Sequence, residues 1–130
     1  MIVVDASVVA PALADDGADG RRARSRLRGE RLVAPEVIDL EVASVVRQAR
    51  QGGLLDDQRA ALALADLAEL DLKRIGHRPL LARIWELHPN LTPYDAAYVA
   101  LAETTGITLV TGDRRLGRAP GPRCDIELLD

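Results

Sequence analysis

Phenylalanine is absent from these 130 residues, and tryptophan, cysteine and lysine occur once each, as Trp85, Cys124 and Lys73. Each shortage excludes something. With aromatics at 2%, base-stacking platforms are scarce. The lone Cys124 excludes an internal disulfide and a cysteine-based zinc site. The two histidines, His77 and His88, share no ligand spacing and are read as surface residues. No apolar run approaches the ~20 residues needed to span a bilayer. No basic, apolar, small-residue signal segment opens the chain, so the expectation is a cytoplasmic protein without a membrane partner.

What is present is mostly Ala, Leu and Val, within 48% apolar residues. That composition suits one domain with helices covering a small sheet. The net charge of −3, from 17 basic and 20 acidic residues, argues by itself against a nucleic-acid partner. The distribution is less even. Arg21, Arg22, Arg24, Arg26, Arg28 and Arg31 crowd one stretch, and Arg114, Arg115, Arg118 and Arg123 another. Arginine's planar fork suits phosphate, although a basic run is also an ordinary solvated helix face.

Met1–Val4 is a short apolar run rich in β-branched residues, the pattern of a strand buried on both faces. Asp5 ends it, and Ser7 is placed to cap a helix reaching about Ala14. Asp15-Asp16-Gly17 turns, and Asp19 caps an Arg-rich helix to Arg28. Leu32–Ala34 is a strand closed by Pro35. From Pro35 to Gln51, Ile38, Val42, Val45 and Ala49 keep helical spacing, and Gly52-Gly53 ends the helix. Asp56–Leu70 completes an αα-hairpin. Its leucines (Leu54, Leu55, Leu62, Leu64, Leu67 and Leu70) exceed what one core face holds, which points to a homodimer contact or a groove for a partner protein. Leu72–Ile75 is a weak strand, and His77–Leu87 is helical. In that helix Trp85 stands with Leu81, Ile84 and Leu87 and is expected in the core. Thr92-Pro93 opens a helix that ends at Gly106. Ile107–Thr111 and Ile126–Leu128 are the last strands. Strands alternating with helices imply an α/β fold, a parallel sheet with right-handed crossovers.

Four acids stand out on this frame. Ligands of open α/β sheets sit beyond the carboxyl ends of strands, where Asp5 and Asp113 both fall. Asp113 also fits a plain Gly-Asp turn. Glu41 has Val37, Ile38 and Val45 as its helical neighbours, so it borders the core face. A buried carboxylate is costly unless paired, and no Lys or Arg lies within a turn of it. Asp95 is the third residue of a helix that starts Thr92-Pro93, close to a capping box, and would be favoured there without any site. The following Ala96–Ala102 is apolar nearly all round, however, which places that helix start inside the fold. Four carboxylates with little cationic compensation suggest a hard divalent metal. Oxygen-only ligation favours Mg²⁺ or Mn²⁺ over Zn²⁺, and Asp5, Glu41 and Asp95 are expected close enough to share one ion.

The combination Val4-Asp5-Ala6-Ser7, Pro35 to Glu41-Val42, Tyr94-Asp95-Ala96-Ala97-Tyr98 and Leu109-Val110-Thr111-Gly112-Asp113-Arg114-Arg115-Leu116 resembles a PIN-domain ribonuclease. More narrowly, it resembles the VapC toxin of a VapBC-type toxin–antitoxin pair. The resemblance covers the whole chain in the expected order. It implies a three-layer fold, a parallel sheet of about five strands flanked by helices, with the quartet Asp5, Glu41, Asp95 and Asp113 as catalytic metal ligands. Ser7 and Thr111 match hydroxyl positions that support the metal. It further implies cleavage of single-stranded RNA with Mg²⁺ or Mn²⁺, leaving a 5′-phosphate and a 3′-hydroxyl, and a cognate VapB-type antitoxin. Arg114 and Arg115 are candidate contacts for RNA phosphates.

Two other doubly wound folds use an acidic pocket. A phosphoacceptor receiver domain needs a Lys after a late strand, and Lys73 is badly placed for it. An aspartyl phosphatase needs a second Asp two residues after the first, where this chain has Ser7. A binding module without catalysis is the remaining alternative.

Overall fold

The computed structural model describes residues 1–130. Five strands, β1 (Ile2–Val4), β2 (Leu32–Pro35), β3 (Leu72–Ile75), β4 (Leu109–Thr111) and β5 (Ile126–Leu128), form one sheet in the order β3-β2-β1-β4-β5. Every neighbouring pair is parallel, with Val3 beside Val33 on one side and Leu109 on the other. The helices are α1 (Ala6–Ala14), α2 (Ala18–Leu27), α3 (Ile38–Gln51), α4 (Asp57–Glu69), α5 (Leu81–Glu86), α6 (Pro93–Thr105) and α7 (Arg114–Arg118). A 3₁₀ turn, Arg78–Leu80, leads into α5.

Strand order explains the layers. From β1 the chain steps outward to β2 and β3, then returns to β4 on the far side of β1 and steps out to β5. Right-handed crossovers running in opposite directions put their helices on opposite faces. Accordingly α1 packs with α2, α3 and α4, while α6 packs with α5 and lies across β1, β2 and β4. The expected three-layer arrangement is therefore present. Its core is aliphatic: Val3, Val4, Val8, Val9, Ile38, Val42, Val99, Leu109 and Val110 are fully buried.

Several local expectations shift. Helix α1 starts two residues early, so Asp5 rather than Ser7 is its N-cap. Helix α2 is capped by Gly17, and Asp19 instead sits in its first turn and pairs with Arg22 at 3.1 Å. Pro35 belongs to β2, and α3 starts at Ile38. On α3 the core stripe is Ile38, Val42 and Val46, while Val45 is exposed. Both registers satisfy helical periodicity, and packing against α1 and α4 selects one. Strand β4 begins at Leu109, and α7 had no counterpart in the sequence pattern. His77 is half-buried and accepts a bond from the Val37 backbone N–H at 3.1 Å, whereas His88 is exposed as expected.

Trp85 is the largest departure. It is 69% exposed and stacks on His88, with ring centroids 4.1 Å apart. Helix α5 is too short to choose freely which side it buries, and Leu80, Ile84 and Leu87 fill its core face. Trp85→Ala should therefore cost no more than about 1.5 kcal/mol, the value of an aromatic pair. A buried Trp would cost ~3–5 kcal/mol. Urea denaturation measures the difference, and acrylamide should readily quench the emission of this one tryptophan in the folded protein.

Candidate active site

Strands β1 and β4 are neighbours from which the chain departs in opposite directions, and this reversal opens a crevice at their carboxyl ends. Asp5 leaves β1 directly into α1 with no loop between, and its Oδ1 accepts the Ser7 backbone N–H at 3.1 Å. Asp113 stands two residues past β4 and caps α7, its Oδ1 accepting from the Arg115 N–H at 2.9 Å. Both strand-end acids are thus helix caps. Asp95 and Glu41 lie in the first turns of α6 and α3.

A closed hydroxyl network holds Asp5. The Ser7 hydroxyl donates to Oδ1 at 2.5 Å, and the Thr111 hydroxyl donates to Oδ2 at 2.5 Å. Each hydroxyl in turn accepts a backbone N–H: Ser7 Oγ from Gly112 at 2.7 Å, Thr111 Oγ1 from Asp113 at 3.0 Å. A Cβ on Gly112 would come within 3.3 Å of Ser7 Oγ, so a side chain there would press on the network. Thr111 is fully buried and Asp5 is 6% exposed. Burial pushes the Asp5 carboxyl up to about 6, with the charge of Asp95 adding to it and the Ser7 and Thr111 bonds opposing it.

Glu41 is half-buried, and its partner is not a cation. The Tyr98 hydroxyl donates to Glu41 Oε1 at 2.5 Å. Burial raises the Glu41 carboxyl, the phenol bond opposes this, and Asp95 adds to it. Burial and the Glu41 carboxylate push the Tyr98 phenol far above its ordinary range, so it remains a donor at neutral pH. Sequence reasoning placed Tyr98 only within a motif. The available signal was a phenol in the otherwise apolar run Ala96–Ala102, where a buried hydroxyl needs an acceptor. Asp95 is raised by burial and then by Asp113, and Arg115 draws it back. Its backbone N–H donates to Thr92 Oγ1 at 3.2 Å, as the cap pattern predicted.

Asp95 therefore lies close enough to Asp5, Glu41 and Asp113 for its charge to bear on the site as a whole. The four acids do not close on a single point, because no three of them form a ready ligand group. The donor chemistry nevertheless fits a hard divalent cation: every donor is oxygen, and Asp5, Glu41 and Asp95 make no ion pair. Lys73 is exposed on edge strand β3, so the lysine of a receiver domain is missing from the crevice. Arg114 and Arg115 stand at the rim. Arg115 is 3.7 Å from Asp113, and Arg114 joins Ser7, Gly112 and Arg22 in lining a polar recess of about 430 Å³. Other arginines of the first cluster are structural: Arg26 clamps Glu127 at 2.6 and 3.0 Å, and Arg24 holds backbone carbonyls.

Residues 2–122 match the PIN domain. The chain belongs to the PIN domain family. Among curated relatives of this PIN domain, Ribonuclease VapC1 of Mycobacterium tuberculosis is 41% identical over 128 residues, covering 98% of this chain and 96% of that protein. Ribonuclease VapC9 of the same organism is 40% identical, covering 99% and 98%. The solved structure of VapBC2 from Rickettsia felis, bound to a DNA fragment from its promoter, shares the PIN fold with a TM-score of 0.72. Its identity is 15%, and the match covers 100% of both chains.

Asp5 yields a pH test. Its folded pKa of about 6 lies above the ordinary 3.8, so the native protein binds the proton more tightly than the unfolded chain. Stability from this group is full below about pH 4 and lost as pH rises through 6, by roughly 3 kcal/mol. In chelator, Asp5→Asn is expected to be more stable than the parent by about 1–3 kcal/mol at pH 7.5, with the gain fading toward pH 4. Urea denaturation at both pH values checks this. An Asn variant that is weaker at pH 7.5 would mean that the hydroxyl bonds outweigh burial.

Proposed function

We propose that this PIN domain is a Mg²⁺- or Mn²⁺-dependent endoribonuclease acting on single-stranded RNA, and the toxin of a toxin–antitoxin pair. The observation that carries the reading is the acidic crevice where β1 and β4 diverge, with Asp5 and Glu41 held by neutral hydroxyls and paired with no arginine. The names of the relatives, ribonucleases VapC1 and VapC9, support it.

Asp5, Glu41, Asp95 and Asp113 would hold the metal, which when bound lowers the pKa of water and neutralises charge on the scissile phosphate. The chain's own residues do the rest. Ser7 and Thr111 fix both oxygens of Asp5, so its remaining lone pairs point in one set direction. Four carboxylates repel a phosphodiester that arrives without a cation, which ties substrate binding to metal loading. Arg114 and Arg115 at the rim offer donors to flanking phosphates. Attack by water rather than by the ribose 2′-hydroxyl leaves a 5′-phosphate and a 3′-hydroxyl.

Asp95→Asn separates this reading from a simple helix-start role. As a cap residue alone, Asp95 would contribute about 0.3–1 kcal/mol, and the variant would be destabilised yet active. As a member of the quartet it carries a charge that burial and Asp113 disfavour. The variant should then melt at or above the parent's temperature without metal and lose most of the stabilisation by Mn²⁺. RNA cleavage should fall by more than the ~10–100-fold typical of an outer-shell loss. Thermal melts with and without Mn²⁺, plus a cleavage assay, decide it.

Partnership belongs to the same proposal. Ala10, Pro11, Ala14, Val45, Ala49 and Leu54 line an open groove of about 440 Å³ between α1 and the α3–α4 hairpin. An apolar helix of a VapB-type antitoxin fits such a groove, while a second copy of the chain would cover Leu81, Trp85 and Tyr94, which are exposed elsewhere. Val45→Glu, on the exposed wall, should leave the fold intact and weaken antitoxin binding more than tenfold, about 1.4 kcal/mol. Titration calorimetry with the cognate antitoxin reads this, and unchanged affinity would move the antitoxin to another face.

A further inference from the structure

We propose that Tyr98 is a positioning residue that fixes Glu41 for metal binding, through a single hydrogen bond joining the two helical layers over the carboxyl edge of the sheet. The inference deepens the metal-dependent reading of the site and rests on it.

Three observations carry it. First, the hydroxyl is surplus to packing. Ala96, Ala97, Val99, Ala100, Leu101 and Ala102 are all buried without a polar side-chain atom, and Tyr98 is 1% exposed among them. A Phe would fill the same space without bringing a hydroxyl that must be paired. Second, the hydroxyl meets Glu41 Oε1 at 2.5 Å, the short end of the range for a neutral donor on a carboxylate. The bond connects α6 on one face of the sheet with α3 on the other. Third, Asp95 and Tyr98 are three residues apart on α6, so one helix face supplies both an acid of the crevice and the anchor of another acid.

Glu41 is the longest of the four side chains at the edge and the one on the rim of its helix's core face. Unanchored, it would sample several rotamers, and each metal-binding event would have to select one. The phenol engages one oxygen and leaves the other free. Because the donor is neutral, the carboxylate keeps its full charge for a cation. The contrast within the chain is direct: Glu103, Glu127 and Asp39 are gripped by Arg83, Arg26 and Arg74, whose charge would compete with a metal for the same oxygens.

The test is a Mn²⁺ titration of the parent, Tyr98→Phe, Glu41→Gln and the double variant, read by calorimetry. Tyr98→Phe is expected to weaken Mn²⁺ binding about tenfold to a hundredfold and to lower kcat for RNA cleavage with KM for RNA unchanged. In the Glu41→Gln background the same change should weaken binding no further. Placing 4-aminophenylalanine at position 98 restores a donor and should recover affinity. It also serves should the Phe variant fold poorly. Tyr98→Phe binding Mn²⁺ like the parent, with or without a lowered melting temperature, overturns the proposal. So does an equal loss in the Glu41→Gln background, the mark of a general packing defect. A parent that binds no Mn²⁺ overturns the metal-dependent reading of the site, and this inference falls with it.

Discussion

Four helix N-termini meet at one edge of a parallel sheet, and the acidic crevice depends on that meeting. In a parallel sheet the chain leaves every strand at the same carboxyl edge, where a crossover helix can begin. Asp5 and Asp113 cap α1 and α7, and Glu41 and Asp95 lie in the first turns of α3 and α6. Partial positive charge at a helix start favours a nearby carboxylate. The fold thereby supplies modest electrostatic support to acids it also desolvates. At Asp5 desolvation wins, and its carboxyl rests about two powers of ten above its ordinary proton affinity. A cation placed among the four would relieve both the burial of charge and the mutual repulsion.

The molecule handles its acids in two ways. Away from the crevice, carboxylates end on guanidinium groups: Arg26 ties α2 to β5 through Glu127, Arg74 ties β3 to α3 through Asp39, and Arg83 ties α5 to α6 through Glu103. These pairs are partly exposed, and each contributes little to stability by itself. Their value is in fixing which element lies beside which. Within the crevice Ser7, Thr111 and Tyr98 do the holding. Hydroxyls fix direction while leaving charge in place, a combination that no basic side chain provides.

Much of this was legible in the chain. Buried parallel strands announce themselves as short β-branched runs, and an acid follows β1 and β4 within two residues of their ends. The αα-hairpin was evident from spacing and Gly52-Gly53. Legibility failed where two local rules tied. Asp5 and Ser7 are both good caps, and only the β conformation of Asp5 settles which one is used. Val45 and Val46 both satisfy a helical stripe, and packing decides between them. Trp85 shares its helix with the apolar Leu81, Ile84 and Leu87, yet a six-residue helix shows only one narrow face to the core. No cation on a neighbouring turn pairs with Glu41; its partner comes from 57 residues away and is neutral. Periodicity shows that a side chain faces inward, not what it meets there.

Strand β1 occupies the middle of the sheet although it precedes the other four in the chain, and one of its two neighbours is the fourth strand. The bond between Thr111 and Asp5 joins residues 106 apart in the chain. A nascent chain thus carries β1 for most of its synthesis with one side unpaired, and contacts of such long sequence separation form slowly. Ser7 finds Gly112, and Asp5 finds Thr111, only after α6 and β4 have emerged. Every element of the crevice precedes that moment except the one that closes it. Assembly of the site therefore waits on residues more than a hundred positions after Asp5, and a chain interrupted before β4 carries Asp5, Glu41 and Asp95 without the hydroxyl network that fixes the first of them.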